Sequence, residues 1–429
     1  MKKFLTLILS GLLITSLVGC SNNGGTTGNT EGEKGGETAN LVIYQNKAEV
    51  TTPLQAYADK WGAENNAKVT VKTCTGECDY GAGMKADINA GETPDIFIIE
   101  GESGYQLYKD IMAPLTDEAW VQNTDYAFEK EGTVYGYPVA VEGWGLAYNK
   151  DILDKAGIDP ATLTTYDAYK AAFEKIDSMK DELGLTGVVS MTAADGAYWV
   201  TGNHDFAAYL SAGLDPSDTT VIDQVLAGQV DPARLTDYAN WVKLIFDYTD
   251  EKMLTVGNTS EQMIAFGAGK YAFLHQGSWA EQNIKEGGGE FEMGFAPYAS
   301  LGNTPSEGLF IGAPSYYCIN KDSKNIDLAK KFLNDLSSSD VGQALIVNEI
   351  NLVPAFKNNA YTPATPLASF LAKWVADGKP AYSFSNQYST PDGFNMNTLG
   401  PIYNQLALGQ IDQAQFEKLF TEAIGTLAK

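Results

Sequence analysis

The sequence predicts an α/β fold built as two lobes, and three observations carry that prediction. Short apolar strand-like runs alternate with helix-like stretches over residues 41–99, and strand, helix, strand, helix, strand with short links makes a parallel sheet with helices on its faces. About 390 residues of ordinary apolar content follow residue 40, more than one hydrophobic core usually serves. The alternation then continues past residue 136 instead of ending with the first sheet.

Taken in order, Leu41-Val42-Ile43-Tyr44 reads as a buried strand. Pro53 opens a helix whose apolar stripe is Leu54, Tyr57, Ala58 and Trp61. Val69-Thr70-Val71-Lys72 is a second strand. Asp79 is placed to N-cap a helix through Met84 and Ile88, and Gly91 marks its end. The third strand is Pro94 to Ile99. Strand-like segments recur at 136–141, 145–149, 271–274 and 316–319. Helices are predicted at about 166–182, 205–213, 236–248, 260–268, from near Ser278, at 327–336, and near the C-terminus at 367–376, 397–407 and 413–427.

The N-terminus is different. Lys2 and Lys3 precede an apolar run from Phe4 to Val18 that ends in Leu17-Val18-Gly19-Cys20. A charged start, an apolar core, a small residue and then a cysteine is the bacterial lipoprotein pattern. A membrane-spanning helix fits less well, because the run falls short of the ~20 apolar residues needed to span and contains Ser10, Gly11, Thr15 and Ser16. An ordinary secretory signal peptide is the other alternative, but Cys20 sits where the cut would fall. The expected organisation is a signal peptide at 1–19, lipidated Cys20, and a flexible tether at 20–40 rich in Ser, Asn, Gly, Thr and Glu. Two or more acyl chains give stable membrane anchoring. The long polar tether suits the surface of a Gram-positive cell.

Charge and composition remove several classes. A formal net charge of −25 argues against nucleic acid, which needs a basic footprint. Arg234 is the sole arginine. Bidentate recognition of carboxylate or phosphate leans on arginine, so an anionic ligand is disfavoured. With Cys20 lipidated, Cys74, Cys78 and Cys318 remain, and Cys74 and Cys78 are candidates for a disulfide closing a small loop. His204 and His275 are the only histidines and no spacing suits zinc, so neither a metal nor a cofactor is expected.

One segment carries a likeness. Val134-Tyr135-Gly136-Tyr137-Pro138-Val139-Ala140-Val141-Glu142-Gly143-Trp144-Gly145-Leu146-Ala147-Tyr148-Asn149-Lys150-Asp151 resembles the hinge-crossing segment of the extracellular sugar-binding proteins of ABC importers, the family that includes maltose-binding protein. Gly91 to Ile96, Phe266 to Phe273 with Gln276-Gly277-Ser278-Trp279, Ile319 to Lys324 and Leu352 to Phe356 follow in the family's order. Lys47-Ala48-Glu49 and Trp199 to His204 resemble its multiple-sugar and raffinose branch. The resemblance implies a two-lobed periplasmic-binding-protein fold of class II type, with the ligand cleft between lobes at 41–138 plus 314–360 and at 139–313 plus 361–429. It implies a monomer that delivers a neutral oligosaccharide to a membrane permease.

Sugar faces stack on aromatic rings and sugar hydroxyls seek carboxylates, amides and lysine. Trp61, Trp241 and Trp374 lie at helical spacing with other apolar residues and read as core, as does Trp120 near a turn. Trp144, Trp199 and Trp279 lie near loops or strand ends, where an open α/β sheet presents its crevice. Trp279 matches the family's stacking position. The polar candidates are Lys47, Glu49, Glu100, Glu142, His204 and Gln276, and the resemblance adds Phe394 and Asn395. A solvated surface carboxylate is the plain alternative for Glu49 and Glu100, and a packing or capping role for His204. A glycoside hydrolase, needing two carboxylates at a set separation, and a polyamine or peptide binder are the rival functions.

Overall fold

The computed structural model describes residues 38–75 and 78–428. The expected signal peptide, Cys20 and the tether up to residue 37 lie outside the described residues.

Two six-stranded sheets organise the chain. The first contains β1 (Ala39–Gln45), β2 (Ala67–Thr73), β3 (Ile96–Glu100), β4 (Phe128–Lys130) and β5 (Thr133–Pro138). The second contains β6 (Glu142–Asn149), β7 (Val189–Ser190), β8 (Phe273–Gly277), β9 (Met293–Ala296) and β10 (Leu309–Gly312). The chain then returns to give β11 (Ser315–Ile319) to the first sheet and β12 (Ala381–Ser383) to the second. The first sheet runs β2-β1-β3-β11-β5-β4, with β1 parallel to β2 and β3, and β11 antiparallel to both β3 and β5. The second runs β12-β10-β6-β8-β7, with β9 also paired to β6.

Each element follows from its residues. The two central strands β1 and β3 are apolar on both faces because helices cover both sides. Strand β2 lies at the edge, and Lys68, Thr70 and Lys72 face solvent there, which discourages pairing with another chain. Helix α1 (Thr51–Glu64) buries the anticipated stripe of Leu54, Tyr57, Ala58 and Trp61. It begins two residues ahead of Pro53, which sits in the first turn where a missing N–H costs nothing. Helix α2 (Tyr80–Ala90) is capped by Asp79, whose carboxylate accepts from the Ala82 N–H, and closes on Gly91 at φ 74°. Helix α3 (Gly101–Tyr108), not anticipated, follows directly on β3. Asp95 holds the first sheet to a later helix: its carboxylate accepts from the Val42 N–H at 2.7 Å and from the Asn325 amide at 3.3 Å.

Several sequence boundaries shift. The strand expected at 271–274 is β8, displaced to Phe273–Gly277. Its end, His275-Gln276-Gly277, is polar in sequence yet buried, because Gln262 bonds to it from helix Thr259–Gly267. The strand expected at 136–141 stops at Pro138, and the one expected at 145–149 starts three residues earlier, at Glu142. The helix expected at 166–182 ends at Ser178, where its stripe of Tyr169, Ala172, Phe173 and Ile176 runs out, and a short helix, Lys180–Leu183, follows.

The chain passes between the sheets at 139–141 and at 313–314, and these crossings lie side by side. The Val139 N–H donates to the Ser315 carbonyl at 3.1 Å, and the Val141 N–H to the Val353 carbonyl at 2.9 Å. Helix Pro366–Ala376 packs Ala368 and Leu371 into the core of the first sheet and Leu367 and Trp374 into the core of the second. Its N-terminal Leu367 and Ala368 N–H groups donate to the Glu281 carboxylate, the favoured place for a negative charge. Cys74 and Cys78 form a disulfide, and Cys318 is free and buried. Trp61, Trp120, Trp241 and Trp374 are buried in the cores.

Candidate ligand site

The site grows from the end of β1. Gln45 is fully buried and its amide grips the turn that follows: Nε2 donates to the Lys47 carbonyl and the Thr73 hydroxyl, and Oε1 accepts from the Lys47 N–H. This fixes the loop that projects Lys47 toward the second sheet. There the Lys47 ammonium meets the Glu142 carboxylate at 2.6 Å, with Glu49 at 3.8 Å. Asn46 donates to Glu100 at 3.3 Å. Three carboxylates therefore gather around one ammonium where the sheets meet. Burial opposes the Lys47 charge, but Glu142, Glu49 and Glu100 together outweigh it and raise its pKa. Burial also pushes the Glu100 and Glu142 carboxyls above their usual range, while Lys47 pulls both down.

The opposite wall is aromatic. Trp279 follows β8 and its ring lies back over Gly277, where a Cβ would fall 2.2 Å from a ring carbon. Its indole N–H donates to Gln276 at 2.8 Å. The His204 ring lies 5.0 Å from Trp279 and 5.2 Å from Trp199, and Phe384 lies 6.1 Å from Trp279. Trp199 and His204 lie on the π-helical turn Trp199–Asp205, and Phe394 and Asn395 on a second, Phe394–Leu399. The two turns interlock at Gly202, where a Cβ would fall 2.3 Å from the Asn395 carbonyl oxygen. Such turns recur at functional sites because they displace side chains from the regular helical path.

The structure divides the candidates. Lys47, Glu49, Glu100 and Glu142 come together, and Trp199, His204 and Trp279 form one aromatic wall. Trp144 is a correction: it is 1 % exposed, with Phe310 stacked on it at 4.0 Å and His204 stacked at 5.4 Å, so it backs the wall instead of facing the junction. Gln276 is buried with both ends of its amide used, toward Gln262 and Trp279, and so orients Trp279. Asn395 is also spent internally, donating to Asn203 and the Gln387 carbonyl and accepting from Thr390. Phe394 is core.

Sequence reasoning missed Phe384, Gln387 and Tyr388, on the stretch after β12. Phe384-Ser385-Asn386-Gln387-Tyr388 has no periodicity, but its aromatic and amide content on a loop was a readable signal. It also missed Asp205 behind His204. Asp205 is 1 % exposed, lies 3.8 Å from His275 Nδ1, and neither carboxylate oxygen has a hydrogen-bond partner among the described residues. Burial pushes its carboxyl well above the usual range. Burial holds His275 down at about 3, against its bond to the Val200 carbonyl, and holds His204 well below its usual value, helped by His275 and Lys47. His204 Nδ1, Trp144 Nε1 and Asn46 Oδ1 are likewise buried without a partner among the described residues.

Two α/β sheets joined by adjacent crossings, with a polar cluster and an aromatic wall at the junction, define a two-lobed binding-protein architecture. Residues 56–366 match the family model described as bacterial extracellular solute-binding protein, and the chain belongs to that family. It is 26 % identical over 274 residues to the melibiose/raffinose/stachyose-binding protein MelE of Bacillus subtilis, covering 59 % of this chain and 60 % of that protein. It is 23 % identical over 349 residues to the multiple sugar-binding protein of Streptococcus mutans, covering 76 % and 79 %. Its fold is similar to that of a sugar transporter protein from Bacillus licheniformis in complex with stachyose, with TM-score 0.72, 19 % identity, and 91 % and 100 % of the two chains covered. Membership of a solute-binding family sets aside the glycoside hydrolase.

Proposed function

We propose that the protein captures a short neutral oligosaccharide between its lobes, 41–138 plus 314–360 and 139–313 plus 361–429, and delivers it to the permease of an ABC importer. The observation that carries this reading is the pairing of the Trp279–His204–Trp199 wall with the Lys47–Glu142–Glu100 cluster. A pyranose presents a C–H face for the rings and a rim of hydroxyls for the charged groups, and burying a ring face is worth roughly 25 cal/mol per Å² of apolar surface. The unpartnered His204 Nδ1 supports the reading, since buried polar groups normally find partners. So does the relative from Bacillus subtilis, a melibiose/raffinose/stachyose-binding protein. Lipidated Cys20 holds the protein at the cell surface, and a Cys20→Ser protein is expected in the medium or unprocessed.

Titration calorimetry with raffinose, stachyose, maltotriose and spermidine tests the proposal. Micromolar binding of a neutral sugar, about −8 kcal/mol, is the expected result. Binding of spermidine alone overturns it in favour of the second reading, a cationic ligand. The excess of three carboxylates over one ammonium is what favours that alternative.

A further inference from the structure

The segment after β12 meets the first sheet's side at more than one place: Ser385 lies beside Tyr316 of β11, and Tyr388 packs on Gly101. Asn386 and Tyr388 lie on the helical turn Asn386–Ser389, which is tied firmly to the second sheet's side. The Asn386 amide donates to the Ser211 hydroxyl at 3.0 Å, Asn395 donates to the Gln387 carbonyl at 2.7 Å, and the Ser383 hydroxyl accepts from the Ser385 and Asn386 N–H groups. From this fixed base Tyr388 reaches Gly101, the first residue of α3 on the other side.

The fit there admits only glycine. A Cβ at residue 101 would lie 2.7 Å from the Tyr388 Cβ, and 3.5 and 3.6 Å from the first ring carbons. The nearest atom is a Cβ and not the end of a flexible chain, so no rotamer change relieves the contact. Carbon atoms rest at about 3.5–4.0 Å, so any side chain at 101 drives the two backbones apart by roughly 1 Å. Gly101 also has φ +50°, a second demand for glycine that is purely local. Burial first, and then the charges of Glu100 and Glu142, hold the Tyr388 phenol neutral, in keeping with its place beside the carboxylate cluster.

We infer that Tyr388 seated on Gly101 is the latch that defines how far the lobes close, and that it sets ligand affinity by positioning the two walls, not by touching the sugar through Gly101. The inference rests on the capture reading for its ligand, but the contact itself is independent of what is bound. Were the lobes to part, Tyr388 would leave Gly101, since the two sit on opposite sides of the junction, and a side chain at 101 would escape this clash.

The test is a double-mutant cycle with stachyose as the probe. Gly101→Ala is expected to raise the stachyose Kd at least tenfold and to leave the loaded protein with a larger radius of gyration than wild type. In a Tyr388→Gly background, which removes the opposing Cβ, Gly101→Ala is expected to change the Kd less than twofold. Unchanged affinity and unchanged compaction in Gly101→Ala overturn the latch. So does an equal loss in the Tyr388→Gly background, because φ strain alone then explains it. A Gly101→Cys/Tyr388→Cys protein separates the two levels of the argument, since the paired Cβ atoms approach closer than a disulfide's usual 3.5–4.5 Å and need only a slight opening to bond. Oxidative cross-linking of residues 101 and 388, accelerated by stachyose, supports latch and capture together. Cross-linking without any stachyose effect or binding leaves the latch standing and overturns capture of this sugar. No cross-link overturns the latch.

Discussion

The two walls of the site solve opposite problems. On the first-sheet side, Lys47, Glu49 and Glu100 bring charge to the junction, and Gln45 holds the Lys47 turn from behind. The second-sheet side adds Glu142 to that cluster, and the rest of it is rings, packed from Trp279 through His204 and Trp144 to Phe310. The charged wall is paired but electrostatically unbalanced. The aromatic wall is well packed but leaves buried nitrogens unpartnered. In the proposed reading, orientation and hydroxyl recognition fall to the charged cluster and surface burial to the rings.

The sharpest break of that comparison is Lys47→Met. It strips three clustered carboxylates of their common ammonium, and uncompensated buried charge typically costs about 3 kcal/mol. Urea unfolding at pH 7 is expected to show a loss of that size, smaller at pH 5, where the already raised Glu100 and Glu142 carboxyls protonate more readily. Equal stability to wild type means the cluster is solvated and not a charged wall. Trp279→Ala comes next. Losing the anchor ring should weaken sugar binding by about 2 kcal/mol, roughly thirtyfold, with the fold intact by circular dichroism. Normal affinity in that variant moves the stacking surface elsewhere.

A third experiment probes the layer behind the rings. A histidine whose folded pKa is depressed contributes stability that is fully present above its unfolded value, near 6.5, and is lost as pH falls toward the folded value. For His275 the window runs from about 6.5 down to about 3. Between pH 7 and pH 5 wild type should therefore lose about 2 kcal/mol more than His275→Asn. Asp205 acts in the other sense. Its folded carboxyl is raised, so its contribution fades as pH climbs above the unfolded value, and Asp205→Asn should gain on wild type as pH rises from there. Parallel pH profiles for wild type and both variants would mean that this layer is hydrated and titrates freely. The smallest effect is expected from Trp241→Phe, buried far into the second core, with about 1 kcal/mol of stability lost and no change in affinity.

The first sheet was largely legible because its central strands β1 and β3 are apolar on both faces and its helices carry ordinary punctuation, Asp79 before α2 and Gly91 after it. The second sheet was harder. Strand β6 opens with Glu142-Gly143-Trp144, and β8 closes with His275-Gln276-Gly277, neither of which alternates. Their burial depends on partners far away in sequence, such as Gln262 and Phe310. The same cause limits reading of the site. The sequence presents Trp144 and Trp279 alike, each near a strand end, and only the packing of Phe310 and His204 on Trp144 separates a backing ring from a facing one. Asn395 and Gln276 are amides in suggestive places, but amides spent on internal bonds cannot be told from free ones without their neighbours.

The position of β11 has a consequence for how the chain must assemble. It lies between β3 and β5, and its Ile319 pairs with Ile96 of β3 across most of the second sheet in sequence. Until residue 319 has been synthesised, the first sheet exists only as two fragments, β1–β3 and β4–β5, each with an unpaired inner edge. Pairings so distant in sequence form slowly, and exposed edges invite aggregation. Chains that end before Ser315 should fail to fold even though they contain nearly all of that sheet. Refolding of the complete chain should be paced by capture of this one strand.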